Sequence, residues 1–370
     1  KNGGSLFYTW DVGMGMNFQS LLLYYMASPF NLIIIFFTRR GIMAAMSILI
    51  AVKMVISAGT FSYYLSRKRD KSINNMLILA LGLCYALNNY MIGYYWNIMW
   101  LDCIMIFPII MLGYERLIRK NDPRTYILAL FYSMYCNYYI SFIICIFLVL
   151  WFLLTGHSNI KKFITDGLKF SGSSLLAAGM SAVTLIMAYL GIMKTATAGA
   201  KLPEWEWYQS FFELLRAEFF LSRPITMDSF DGPANLYAGT LVIITLFIYI
   251  CSNKVNVWEK LGKLTLVGIL IVSMNQNMLN FVWHGFHNQF GIPNRFSFLY
   301  IFVLLVICYD VMIRLRKTHI ASIIVGFILT YALLISCFVA TGFDDAVISG
   351  DYMLVASLFL ITIFLLLIIF

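Results

Sequence analysis

Apolar runs recur along the chain from end to end, and polar positions gather in the short stretches between them. The runs 42–65, 74–92, 100–117, 125–137, 139–155, 168–193, 236–251, 264–280, 296–313, 320–340 and 352–370 approach the length a helix needs to cross a hydrocarbon core of roughly 30 Å. They predict an all-α, polytopic transmembrane bundle of about eleven spans. Residues 125–154 are apolar over thirty positions, too many for one upright span. The run is therefore divided at Cys136-Asn137-Tyr138-Tyr139 into two short helices, since protein can surround a polar break at membrane depth.

Two stretches depart from this rhythm. Segment 17–38 is interrupted by Ser28-Pro29 and ends on Arg39-Arg40, which predicts one or two helices lying in the interface and not a span. Between 194 and 235, PEWEWYQSFFELLRAEFFLSRP predicts an amphipathic helix with Trp205 and Trp207 at the interface. The organisation is then a loop with interfacial helices (1–41), spans one to six (42–193), a loop with an amphipathic helix (194–235) and spans seven to eleven (236–370). The chain opens without Met on a loop-like stretch and closes on LLLIIF inside an apolar run, so a longer protein is expected, with at least one segment ahead of Lys1.

Composition agrees: 61% of residues are hydrophobic, 12% are charged and the mean hydropathy is +0.83, outside the range of soluble domains. The net charge of +9 does not point to nucleic acid, because the basic residues cluster in the short loops that set topology. With the 66–73 loop in the cytoplasm, 17 of the 26 basic residues lie inside, and 11 of the 17 acids lie outside. Left undivided, 125–154 would send either the Arg116–Arg124 loop or Lys161 and Lys162 outside, against the positive-inside rule. The outer side then carries the long acidic, aromatic loops 1–41, 93–100, 194–235, 281–295 and 341–351. The seven Cys sit in or beside apolar runs without a CxxC pair and read as small buried hydrophobes.

Candidate chemistry gathers on that outer side. Asp11, in the glycine-punctuated FYTWDVGMGMNF, has the chemistry of a general base toward a hydroxyl, or of a turn former. Asp102, in YYWNIMWLD at the mouth of a span, is either a functional hub or a helix-start acid. Lys53 lies about twelve residues into its span, too deep to snorkel, and needs an internal acid or a lipid phosphate. NFVWHGFHNQFGIPNRFSF concentrates His284, His287, Asn294 and Arg295 at the head of a span, with Arg suited to phosphate and His to hydrogen bonds or a proton. The two His lack a third ligand nearby, so no metal site is assigned, and a divalent metal requirement stays open. Asp228, Asp231 and Asn235 in TMDSFDGPANLYAG suit sugar, metal or simply a turn. No P-loop, HExxH or strand-borne GxGxxG is present.

Several of these stretches together resemble the bacterial YfhO family: GSLFYTWDVGMGMNF with YYMASPFNLIIIFF, NIMWLDCIMIFPIIMLGYERL, CNYYISFIICIFLVLWFL, GPANLYAG and WHGFHNQFGIPNRFSFLYIF, in that order over essentially the whole chain. The resemblance implies a glycosyltransferase of the GT-C type in the bacterial plasma membrane, with its active site facing out. It implies a sugar donor linked to undecaprenyl phosphate and an envelope acceptor such as the lipoteichoic or wall teichoic acid of Gram-positive cells. Membrane lipids, the donor and the acceptor polymer are then the partners, with no nucleic acid and no cofactor required by the sequence. In that reading Asp11 and Asp102 serve the acceptor, while Arg295, His284, His287, Asn294, Lys53 and Tyr237 hold the lipid phosphate and substrate. The acid in the first outer loop of such enzymes is expected upstream of GSLFYTW, ahead of this chain. The competing expectation is a lipid or polysaccharide transporter without bond chemistry, which predicts polar residues through the bundle and related halves. A scaffold for another envelope enzyme is a third.

Overall fold

Each predicted apolar run is helical over most of its described residues, some with a break inside, in the computed structural model, which describes residues 8–10, 15–68, 75–156, 159–193, 199, 201–227, 234–289, 291–342 and 350–369. By length and composition, five helices can cross a membrane alone: Arg39–Arg67, Asn75–Tyr94, Ile98–Lys120, Ile320–Thr341 and Gly350–Ile368. A sixth follows if Ile160–Met180 and Ala182–Ile192, bent by 77°, count as one. The supported number among the described residues is thus five or six and not eleven. Tyr138–Leu154, Thr240–Cys251 and Ser297–Met312 are apolar but short. At 1.5 Å per residue they rise about 18–26 Å, less than a full hydrocarbon core.

The polarity of the molecule is that of a protein dissolved in lipid. Val55, Val339 and Leu367 are 71%, 74% and 71% exposed, whereas Lys53 and Asp102 are wholly buried. An apolar exterior around buried charge inverts the arrangement of a soluble protein.

Two compact units make up the chain. The first comprises 1–67, 95–146 and 157–201. Here Ile98–Lys120 packs on both Arg124–Cys136 and Ile42–Arg67. A Cβ on Gly113 would stand 2.5 Å from Tyr126 N and 2.6 Å from its Cα, so two helices meet backbone to backbone there. Gly113→Ala is expected to lower stability by about 1–3 kcal/mol through overpacking. Gly59→Ala, in a helix with open space around it, should instead gain up to about 1 kcal/mol. Thermal melting of the two detergent-purified variants checks the pair, and equal shifts would contradict it. The chain leaves the helix at Asn137, which is extended (φ −155°, ψ 105°) and whose Oδ1 accepts from Ile140 N at 2.9 Å. Residues 18–36 form short irregular pieces, Phe18–Leu21, a π turn at Leu22–Met26 and a 3₁₀ helix at Pro29–Phe36 with proline in its first turn.

The second unit comprises 68–94, 147–156 and 202–370. Its centre is Ser297–Met312, buried from Ser297 through Val311 and packed by Thr240–Cys251, Val257–Asn275 and Asn75–Ala86. A helix apolar over most of its circumference suits such a position, and the buried Asp310 within it is ion-paired with Lys263. Gly326 lets Ile320–Thr341 approach closely, since a Cβ there would lie 2.6 Å from Ile248 Cγ1.

The stretch expected as a long amphipathic helix is corrected. Only Phe211–Arg216 is helical, started by a capping box between Ser210 and Glu213, and residues 203–210 before it run outside any helix as a strap. Trp207 pairs antiparallel with Gln276 across the break between helices Val257–Asn275 and Asn277–Trp283. Asn275 Nδ2 donates to Gln209 O (2.8 Å) while its Oδ1 accepts from Gln209 N (3.1 Å), and Tyr208 N donates to Asn275 O (2.8 Å). Asn277 N donates to Glu206 O and its Oδ1 accepts from Glu206 N, both at 3.1 Å. Two asparagine amides thus stand in for a neighbouring strand, and the backbone that would have turned into helix is used up in this pairing.

Candidate functional site

Asp102 and Lys53 meet in the first unit. Lys53 Nζ lies 2.6 Å from Asp102 Oδ2 and also donates to Ile98 O at 3.0 Å. Asp102 Oδ1 accepts from Ser28 Oγ (2.7 Å) and Tyr132 Oη (2.8 Å). Of the two partners open to Lys53 in the sequence, the structure supplies the internal acid. Both carboxylate oxygens are engaged and neither charge is exposed, so the group is built to hold the Ile42–Arg67 and Ile98–Lys120 helices and the Ser28 turn in register. Beside it Cys103 Sγ approaches Ser133 O and Ser141 Oγ (3.5 and 3.7 Å), and Trp100 Nε1 donates to Tyr24 Oη (3.3 Å).

The second cluster lies in the second unit, on the loop that connects Asn277–Trp283 to Ser297–Met312. The loop turns on positive φ at Gly285, Phe286, Gly291 and Asn294. Tyr94 Oη donates to Pro293 O (2.6 Å) and Tyr90 Oη to Arg295 O (2.9 Å), pinning it to the Asn89–Tyr94 helix. Arg295 folds back, with Nη2 donating to Gln289 O (2.7 Å) and Nε to Ile292 O (3.2 Å). Asn280 Nδ2 donates to Asn294 Oδ1 (2.8 Å), and Asn294 N to Gln289 Oε1 (3.1 Å). Trp283 and Phe296 stack beneath, 4.8 Å apart.

His284 is fully buried here, 2.9 Å from Asn280 O through Nδ1. Burial, with the Arg295 charge adding to it, holds its pKa well below the usual imidazole value. The ring is therefore neutral; a carbonyl can only accept, so the proton sits on Nδ1 and Nε2 presents a lone pair. Among the described residues that Nε2 has no partner, and neither do Asn280 Oδ1, Asn294 Nδ2 and Ser297 Oγ. Buried polar atoms are nearly always satisfied, so four orphans on mutually bonded or adjacent side chains mark this loop as the candidate site. His287, half-buried and 2.6 Å from Asn288 O, is also pushed down by burial, and its ring centroid is 6.4 Å from that of His284.

The remaining described candidates have partners of their own. Tyr237 Oη pairs with Thr240 Oγ1 (3.3 Å), and its carbonyl accepts from Asn89 N (2.9 Å) at the start of the helix that pins the Arg295 loop. Asn235 is buried and grips Ile225, Oδ1 accepting from its N and Nδ2 donating to its O, both at 2.8 Å. Asp11, Asp228 and Asp231 lie outside the described residues. Among the described residues, no group of three or more His, Cys, Asp or Glu is arranged for a metal ion. Asn280, Ser297 and the Asn275–Asn277 ladder were not singled out from the sequence; the amide-rich SMNQNMLN, inside an otherwise apolar run, is the signal that marks all but Ser297.

No curated protein and no solved structure matches the chain. A family profile described as bacterial membrane protein YfhO matches residues 1–370. With buried charge inside an apolar helical exterior and a profile match over its whole length, the chain belongs to the YfhO family of bacterial membrane proteins.

Proposed function

We propose that the protein is a membrane glycosyltransferase that moves a sugar from an undecaprenyl-phosphate-linked donor to an envelope acceptor, such as lipoteichoic or wall teichoic acid, on the outer face of the plasma membrane. The family's resemblance to GT-C enzymes motivates the reaction class. The observation that carries the reading to residues is the set of unsatisfied polar atoms around Arg295 at the head of a sixteen-residue helix. Asn294 Nδ2, Ser297 Oγ and the helix start are donors suited to phosphate oxygens, with the Arg295 charge beside them. In the transfer, the acceptor hydroxyl oxygen bonds to the anomeric carbon, the bond from that carbon to the phosphate oxygen breaks, and undecaprenyl phosphate leaves. Donors aimed at the departing phosphate stabilise the charge that develops on it. The neutral His284 Nε2 is an acceptor for a hydroxyl proton. Asp102, with both oxygens engaged, serves as the anchor of Lys53 and Ser28, and Asp11 keeps the role of a loop acid toward the acceptor.

Transfer from labelled undecaprenyl-phosphate sugar by the full-length protein in proteoliposomes tests this. Arg295→Ala should lower the rate by about 10²–10³, the range for losing a preorganised charge-stabilising group. A wild-type rate in a folded Arg295→Ala protein would remove the phosphate role. The buried Lys53–Asp102 pair inside a candidate span is an observation that favours a lipid transporter instead. A transporter would relocate the labelled lipid with its mass unchanged and leave the acceptor unlabelled.

A further inference from the structure

Beside the Arg295 loop lies a cavity of about 300 Å³ walled by Glu206, Trp207, Tyr208, Asn277, Asn288 and Gln289. Its volume is at the small end of ligand sites, suited to a single ring. Three features of the wall define the chemistry it would take. Trp207 is half-exposed and held edge-on by Trp205 (centroids 6.1 Å, 88°) and at a tilt by Phe211 (5.2 Å, 58°), so its indole is a preorganised platform. Asn277, nine-tenths buried, is fixed through Oδ1, which accepts from Glu206 N and Gln276 Nε2, each at 3.1 Å. Among the described residues the hydrogen bonds of Asn277 run through its N and Oδ1, which leaves Nδ2 a donor at the wall. Glu206 contributes a carboxylate, and the wall holds neither Lys nor Arg among the described residues.

An aromatic face, a fixed amide donor and a carboxylate acceptor without a compensating cation disfavour an anion. They suit a ligand with one apolar C–H face and a rim of hydroxyls that both donate and accept. We infer that this cavity is a subsite for an uncharged pyranosyl ring, stacked on Trp207 with its hydroxyls on Asn277 and Glu206. Gln289 joins it to the phosphate-binding loop, since its side chain and carbonyl hold Asn294 and Arg295 while it lines the cavity. The inference rests on the transferase reading for its biological meaning, and on the cavity alone for its ligand class.

Saturation-transfer NMR with the full-length protein in nanodiscs and a panel of methyl glucopyranoside, methyl galactopyranoside and methyl N-acetylglucosaminide reads the binding directly. Ring protons of at least one are expected to receive magnetisation, with affinity falling roughly tenfold in Trp207→Ala and mostly retained in Trp207→Phe, as loss of one aromatic contact implies. Asn277→Asp, which keeps the oxygen that holds the strap but removes the donor, should weaken binding without lowering the melting temperature. Inorganic phosphate should not displace the sugar. Absence of transfer to every pyranoside, displacement by phosphate, or unchanged binding in a folded Trp207→Ala protein would each overturn the subsite. Competition by undecaprenyl-phosphate sugar assigns the ring to the donor, and competition by soluble acceptor glycan assigns it to the acceptor; both support it. Sugar binding without turnover of any donor would sink the transferase reading and leave the subsite standing. Turnover with an unchanged KM in Trp207→Ala would do the reverse.

Discussion

Replacing Asp102 by alanine is expected to destabilise the protein by about 3–5 kcal/mol, the range for breaking a buried ion pair from one side. The reason is the charge left behind. Lys53 Nζ, wholly buried in the apolar Ile42–Arg67 helix, would keep only the Ile98 carbonyl as a named partner. Lys53→Ala should cost about as much, since the carboxylate then retains only the Ser28 and Tyr132 hydroxyls. The double variant Lys53→Met/Asp102→Leu should recover most of the loss, because neither desolvated charge remains and similar volume is packed. Equilibrium unfolding of the four proteins in one detergent reads the cycle. A single variant that unfolds with the wild type, or a double variant as weak as the sum of the singles, would show that the pair does not hold the unit together.

The same pair illustrates what the sequence makes legible. A lysine at mid-span demands a partner, and Asp102 was visible at the mouth of another span; their meeting, and the two hydroxyls that complete the carboxylate, require the register of three segments. Helix positions were legible because each needs only its own apolar run. Their breaks depended on polar residues with local bonding. Asn137 ends one helix and caps the next, and Asn88 likewise takes Met91 N at 3.0 Å, dividing a run read as continuous. The 77° bend at Ser181 follows Gly179 and is accompanied by a Ser181 Oγ donation to Phe131 O at 3.3 Å, which no local pattern announces. The strap was misread because FFELLRAEFF invites a helical period. Glu204-Trp205-Glu206-Trp207 alternates with the period of a strand, yet its hydrogen-bonding partners, Asn275 and Asn277, lie about seventy residues on. The Arg295 cluster was legible as a concentration of polar and aromatic residues, but its unsatisfied atoms depend on Asn280 and Ser297, ordinary residues in a helix and at a helix start.

Glu218 should make the protein less stable as pH rises from about 4.5 to about 8. It is almost completely buried, and burial pushes its carboxyl up to about 8 from 4.5. The nearest cation on its own segment, Arg216, is turned to Thr341 Oγ1 (3.0 Å), Gly342 O (3.3 Å) and the Phe338 ring (4.6 Å). What faces Glu218 instead is the Tyr300 hydroxyl, which moderates the shift, and the Cys337 thiol; its Oε1 makes no hydrogen bond. Between the two pKa values the folded protein binds more protons than the unfolded chain, so unfolding free energy declines with pH there and levels off above about 8. At 1.36 kcal/mol per unit the loss reaches a few kcal/mol at most. Glu218→Gln keeps the shape and cannot ionise, so it should match the wild type near pH 4.5 and exceed it increasingly toward pH 8. Melting curves of both proteins at pH 5, 6.5 and 8 measure the difference, in which the histidines and other titrating groups cancel. A wild type that gains on Glu218→Gln as pH rises would mean that the carboxylate is charged and partnered in the folded state.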